Sequence, residues 1–308
     1  MKQAMRKAGL AIVFICAITA AGCGKEGKKE DKKEEPIVVD AVEEEAEEKT
    51  EVEIGAEEVV EPLDFCICID PGHYGNTNVL QFSDGSSYCE GNTTLAISLK
   101  LKEILETEYG IEVIMTREGD DISIGGYSKG VLDQQHIALR GEMAAGTDLF
   151  LSIHTNANQN WANGYETCTQ PIGINKPVVI ANMVAKGDER ALQIGNEIGK
   201  NLANFYTKEG LSSVEGFKEN MDGSTFLEWT DEYNDSVDVQ GTMCVRSHNG
   251  GDYYGVLRGA SNVGVPGFIV EHGFHTVPEF RAKIANEGLA LKIAQEDAKA
   301  IATVLGLE

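Results

Sequence analysis

Phe65-Cys66-Ile67-Cys68-Ile69-Asp70-Pro71-Gly72-His73 decides how the chain is read. An unbroken apolar run describes a strand buried on both faces, and Asp70-Pro71-Gly72 stops it with a turn. His73 therefore falls just past a strand's carboxyl end. Gly91-Asn92-Thr93-Thr94 offers helix-capping chemistry, and Ile97, Leu101, Ile104 and Leu105 follow at helical spacing, which sets Glu90 at the mouth of a helix. Ile111 to Thr116 predicts a second strand, Leu132 to Ala145 a helix, and Asp148 to Ile153 a third strand that ends at His154. Gly267-Phe268-Ile269-Val270 predicts one more short buried strand, closed by Glu271. Ala191, Ile194, Ile198, Leu202 and Phe205 mark the buried face of another helix, as do Ala290, Ile293, Ala298, Ile301 and Leu305 near the C-terminus.

Strands alternating with helices predict an α/β domain whose mixed, mostly parallel sheet is flanked by helices on both faces. Ligands of such sheets bind outside the carboxyl ends of the strands, where His73, Glu90, His154 and Glu271 are expected to converge. Two histidines and a glutamate form a ligand set of zinc type that leaves one of four positions open, the arrangement of a hydrolytic site. The bland alternatives are a solvated first-turn acid for Glu90 and a structural ion pair for Glu271. The stretch from Asn158 to Gly251 is less regular. Its Gly- and Asp-rich part, Gly216 to Gly241, is expected to be an extended loop within an insertion near 211–250 that flanks the cleft.

Lys2, Arg6 and Lys7 precede an apolar run from Ala8 to Ala21, about 14 residues against the roughly 20 that span a bilayer, so residues 1–22 are expected to be a signal peptide. Ala20-Ala21-Gly22-Cys23 resembles the bacterial lipobox, with Ala20 where a larger aliphatic residue is preferred. The expectation is a lipid on Cys23 that anchors the chain outside the cytoplasm; secretion with an unmodified Cys23 is the alternative. Residues 23–62 are dense in Lys and Glu, bury too little apolar surface to offset ordering entropy, and are expected to be a disordered tether. As a coil such a segment spans roughly 35 Å. Residues 63–308 remain for one catalytic domain. The net charge of −24 argues against nucleic acid as a partner. Of seven cysteines, Cys66, Cys68, Cys89, Cys168 and Cys244 fall in the domain. Cys168 with Cys244 is a possible bridge, and Cys66 and Cys68 are expected to be buried thiols rather than ligands.

Asp70-Pro71-Gly72-His73, Glu90 before an apolar helix, Thr116-Arg117, Ser152-Ile153-His154-Thr155-Asn156-Ala157 and Val270-Glu271-His272-Gly273-Phe274 occur in this order. The ordered set resembles the zinc-dependent N-acetylmuramoyl-L-alanine amidases of the third amidase family. The resemblance implies a sheet of about six strands, one Zn2+ ion held by His73, Glu90 and His154, Glu271 as the catalytic acid and base, and peptidoglycan as substrate. It departs from the family at Tyr74, where glycine is common, at Thr155, where alanine is usual, and at His272, where a small residue is more usual. His272 and His275 are expected at the rim or behind the ligands, His136, Arg117 and Arg140 in the scaffold, and Arg258 and His248 near substrate if they act at all. Two other readings stay open: another zinc peptidoglycan hydrolase (a peptidase or deacetylase), and a lipoprotein that binds wall fragments without turnover. A regulatory protein acting on the 211–250 insertion is a further possible partner.

Overall fold

The apolar run ending in Asp70 is an inner strand of an eight-stranded sheet. The computed structural model describes residues 63–82, 84–157, 175–211, 235–240, 243–286 and 288–308. In chain order its first elements are β1 (Leu63–Pro71), β2 (Val79–Gln81), β3 (Ser87–Cys89), α1 (Glu90–Glu108), β4 (Ile111–Met115), β5 (Ser123–Ile124) and β6 (Tyr127–Ser128). Then come α2 (Lys129–Gln134), α3 (Ala138–Glu142), β7 (Leu149–Asn156), β8 (Val178–Ala181), α4 (Met183–Lys186) and α5 (Glu189–Lys208). The last are β9 (Asp235–Gln240), β10 (Met243–His248), β11 (Gly251–Asp252), α6 (Gly255–Asn262), β12 (Gly267–Phe274), α7 (Pro278–Asn286) and α8 (Leu289–Leu305). All described residues lie in the unit Glu57–Glu308. Residues 1–22, Cys23, the tether 23–62, Cys168 and, within the 211–250 insertion, residues 212–234 and 241–242 lie outside the described residues. Among the described residues no helix is long and apolar enough to cross a membrane.

The sheet runs β11-β10-β8-β12-β7-β1-β4, with β9 on the free edge of β10. Its β4-β1-β7-β12 portion is parallel throughout, β8 turns antiparallel to β12, and β10 runs parallel to β8. Ile67, Ile69, Leu151, Ile153, Phe268 and Val270 are buried, as strands covered on both sides require. On one face α8 packs between α1 and α5; on the other α3 packs on α6. Strand register assigns the faces. Asp70 pairs with Ser152, and His154 pairs with Glu271, so these four side chains share the face onto which α3 delivers Arg140. His272 points the opposite way and meets Asp297 of α8.

Asp70 is fully buried and gathers three elements. Its carboxylate accepts hydrogen bonds from Thr116 Oγ1 (2.5 Å), Ser152 Oγ (2.7 Å), and Arg140 Nε (3.0 Å) and Nη2 (2.7 Å). Burial by itself would raise the Asp70 pKa, but the Arg140 charge and these donors outweigh it and hold the group below its ordinary range. Arg140 gets inside because α3 crosses α6 at very short range. A Cβ on Gly141 would lie 2.0 Å from the Val256 carbonyl oxygen, so only glycine permits the crossing.

Several expectations need correction. The helix predicted over Leu132–Ala145 is two pieces, α2 and α3. Helical bonding stops where Gln135 and His136 both donate to the Val131 carbonyl, and the chain redirects so that Arg140 reaches Asp70 while His136 stacks on Tyr127 at 4.1 Å. Thr93 and Thr94 do not cap α1; they lie in its first turns, the cap position is Cys89, and Thr94 Oγ1 donates to the Gly72 carbonyl (2.6 Å). The end of the supposed insertion is sheet: Met243, Cys244 and Val245 of β10 are core, and β9 pairs along β10. The six strands from β4 to β10 match the expected number, and β9 and β11 add two more at the β10 edge. Cys68 is a buried free thiol and Cys66 a partly exposed one. Cys244 is also free and buried in β10, so it forms no bridge among the described residues.

Asp70→Asn is expected to cost about 3–5 kcal/mol, because it leaves the Arg140 charge buried without a counter-charge; urea unfolding of the full chain measures it. Because the folded Asp70 value lies below the unfolded 3.8, the wild-type advantage is fully present above that pH and disappears as the pH falls through the folded value.

Candidate active site

His73 sits two residues beyond β1 with φ of 57°, a left-handed conformation that costs a non-glycine residue energy. Glu90 is the first residue of α1, whose start is pressed against this turn: a Cβ on Gly91 would lie 1.7 Å from the Tyr74 carbonyl oxygen. Arg117 locks the same turn, donating to the carbonyls of Pro71 (3.1 Å), Gly72 (3.1 Å) and Gly91 (2.7 Å). The expectation that Arg117 and Arg140 serve the scaffold matches these contacts. Tyr74 fills a small second core with Ile122 and Leu132, beneath Arg140.

The three side chains meet. His73 Nε2 is 3.2 Å from Glu90 Oε2, and His154 Nδ1 is 3.3 Å from Glu90 Oε1. One donor atom from each lies within 4.8 Å of the others, close enough to share one cation. Among the described residues no other such group of His, Cys, Asp and Glu converges. Glu90 is 3% exposed; burial works to raise its pKa, but His73 and His154 more than offset this and hold it well below the ordinary carboxylate range. Its orientation is set by the Thr155 backbone N–H (3.0 Å) on Oε1 and by the Asn78 amide on Oε2. Burial also lowers the His154 pKa, which favours the neutral imidazole a metal needs. Two imidazoles with one carboxylate, ionised although buried, fit zinc.

Glu271 completes the site from β12. It pairs in register with His154, and its Oε2 is shielded and has no hydrogen-bond partner among the described residues. Burial, reinforced by the negative charge of Glu90 and opposed by His73, pushes its pKa up to about 8. Glu271, the three converging residues, Asn156 and His275 line a cavity of about 240 Å³. A larger cavity of about 580 Å³ lies at the opposite end of the strands, around Asp148 and Pro266, away from this chemistry.

His154 and Glu271 lie inside their strands rather than at the ends, because β7 runs on to Asn156 and β12 to Phe274. His272 stands behind the site: Nδ1 lies 3.1 Å from the His154 carbonyl and Nε2 2.7 Å from Asp297, with the ring fully buried. Arg258 donates to the carbonyls of Asp252 (2.9 Å) and Tyr253 (2.6 Å), so it braces the start of α6. His248 stands at the end of β10 beside Tyr253 and is not part of the cavity. Two contributors carried no sequence signal. Asn78 holds Glu90 from the β2 side, and Tyr88 donates to or accepts from Thr155 (2.8 Å), which in turn bonds His275 (3.0 Å).

Solved structures that resemble the chain at low identity include three amidases. They are AmiC2, an N-acetylmuramoyl-L-alanine amidase of Nostoc punctiforme (18% identity, 80% of this chain and 99% of that one, TM-score 0.48); the catalytic domain of CwlV, an N-acetylmuramoyl-L-alanine amidase from Bacillus (Paenibacillus) polymyxa var. colistinus (17%, 79% and 99%, 0.49); and the N-acetylmuramyl-L-alanine amidase Ami1 from Mycobacterium smegmatis (17%, 80% and 98%, 0.49). No curated protein matches the sequence. The family model described as N-acetylmuramoyl-L-alanine amidase matches residues 67–303, from within β1 to within α8. By that match the chain belongs to the N-acetylmuramoyl-L-alanine amidase family and is an enzyme.

Proposed function

We propose that this enzyme cleaves the amide between the lactyl group of N-acetylmuramic acid and L-alanine in peptidoglycan, with one zinc ion on His73, Glu90 and His154 and with Glu271 as general base. The observation that carries the reading is the convergence of those three donors in a cavity that also holds a carboxylate oxygen without a partner among the described residues. When bound, zinc supplies a Lewis acid that acidifies water and polarises a carbonyl.

The chain's own residues do the rest. Asn78 and the Thr155 N–H keep Glu90 oriented, and His73 and His154 keep it ionised. Glu271 takes a proton from the attacking water at Oε2 as the new C–O bond forms, then returns it to the alanine nitrogen as the C–N bond breaks. A carboxyl raised toward neutrality is suited to this two-way transfer, because neither protonation state is strongly favoured. We further propose that residues 1–22 direct export, that a lipid on Cys23 anchors the chain, and that residues 23–62 tether the catalytic domain 63–308 outside the cytoplasm. The lipobox-like Ala20-Ala21-Gly22-Cys23 and a wall polymer as substrate support this placement.

Digestion of purified sacculi is expected to release peptides with L-alanine at the amino terminus, seen by mass spectrometry. A chelator should stop the release and added zinc restore it. New ends elsewhere in the peptide, or release of acetate, would favour a peptidase or a deacetylase instead.

Glu271→Gln is expected to keep one zinc per chain while kcat falls about 10²–10⁴-fold. In the wild type, the acidic limb of the pH profile should lie below about 8, since a bound cation lowers the Glu271 value from there. The same variant has a second signature in the metal-free protein. A folded value of about 8 against 4.5 unfolded means that folding retains a proton, so wild-type stability declines as pH rises from 4.5 toward 8. Glu271→Gln should therefore melt higher than the wild type at alkaline pH and equally near pH 4.5.

A further inference from the structure

His275 is held from every side but one. Its backbone N–H donates to the Asn156 carbonyl (2.9 Å) and its carbonyl accepts from Arg281 Nη1 (2.9 Å). Its ring stacks on Tyr88 with centroids 4.8 Å apart at 18°. Nδ1 lies 3.0 Å from Thr155 Oγ1, which lies 2.8 Å from the Tyr88 hydroxyl. The residue is 1% exposed, and Nε2 has no partner among the described residues. Yet the residue is among those that line the cavity that holds Glu271 and the three converging donors. A buried polar nitrogen left unsatisfied is costly, and the cost is recovered if a ligand atom meets it.

Burial pushes the ring pKa down to about 4, so near neutral pH it is uncharged and carries a single N–H. The Tyr88 hydroxyl, 2.8 Å from Thr155 Oγ1, can donate to it. If Thr155 then donates to Nδ1, the ring proton falls on Nε2. The Glu90 carboxylate, which lines the same cavity, favours that tautomer, because it attracts an N–H and repels a bare lone pair.

We propose that His275 is a catalytic residue whose Nε2–H donates a hydrogen bond to the carbonyl oxygen of the scissile amide as that oxygen gains negative charge, with Tyr88 and Thr155 as positioning residues that fix the tautomer. The inference rests on the hydrolytic reading above and adds a donor to it. A neutral donor fixed before substrate arrives reorganises little during reaction, which is why such donors lower barriers effectively.

The test pairs kinetics with a spectrum of the full chain loaded with zinc. His275→Leu is expected to keep wild-type zinc content and KM while kcat falls on the order of 10²-fold. His275→Gln, which restores an N–H donor, should recover part of the loss, and Thr155→Val, which leaves the ring but frees Nδ1, should fall between. In 15N–1H spectra of the histidine rings, the wild-type His275 should be neutral and protonated on Nε2, and Thr155→Val should mix the two tautomers. A wild-type kcat in His275→Leu, or an Nδ1-protonated ring in the wild type, overturns the proposal. Should His275→Leu fail to fold, Thr155→Val and the wild-type spectrum still decide. Failure of the wild type to cleave sacculi counts against the hydrolytic reading, whereas the tautomer judges His275 separately.

Discussion

The buried Asp70 carboxylate organises the end of the sheet where the candidate site lies. It accepts from Thr116 just beyond β4, from Ser152 in β7 and from Arg140 in α3, so one side chain ties three neighbouring segments to the end of β1. An ionised carboxylate is expensive to remove from water, and the arrangement persists because every contact it makes is a donor and one of them is a cation. Two residues after Ser152 in the same strand comes His154, and three after Asp70 comes His73. The ion pair therefore sets the distance between the two imidazoles without touching either. Its outer surface is covered by Tyr74, where the family pattern has a glycine, so this chain seals the pair with an aromatic ring.

Glu90 is positioned by a different device. A helix start is pressed onto the turn after β1, held by Arg117 and by the bare face of Gly91, so its first side chain projects between the two histidines. The resulting cavity has two chemically distinct walls. On one, Glu90 is kept charged by its histidine neighbours; on the other, Glu271 is pushed toward neutrality by burial and by Glu90 itself. Two carboxylates whose environments separate their protonation behaviour can take different roles, one as ligand and one as proton carrier.

Behind this front, unusual residues are used in pairs. His272 meets Asp297 and the His154 carbonyl on the far face of the sheet. Thr155 meets His275, and both residues line the cavity. Each of these substitutions leaves a polar group that burial would penalise, and each finds its partner on an element distant in sequence.

Local pattern determined a good part of this protein. The apolar runs of β1, β4, β7 and β12 and the helical periodicities of α1, α5 and α8 are statements about neighbouring residues, and the sequence is enough to read them. So were His73, Glu90, His154 and Glu271 as a candidate cluster, since each closes an apolar run or opens a helical one in the sequence, although β7 and β12 run on past His154 and Glu271. Tertiary structure decided the rest. β8 and β10 are four and six residues long, too short to signal a period against their Gly- and Asn-rich surroundings, and pairing with β12 and with each other makes them strands. The break between α2 and α3 answers to Asp70 rather than to any helix breaker. Thr155 and His275 lie 120 positions apart, and only the parallel register of β7 with β12 brings them within hydrogen-bonding distance. Hydrogen bonds and charge pairs of that separation have no local signature, because the free energy that selects them comes from burial in the assembled sheet.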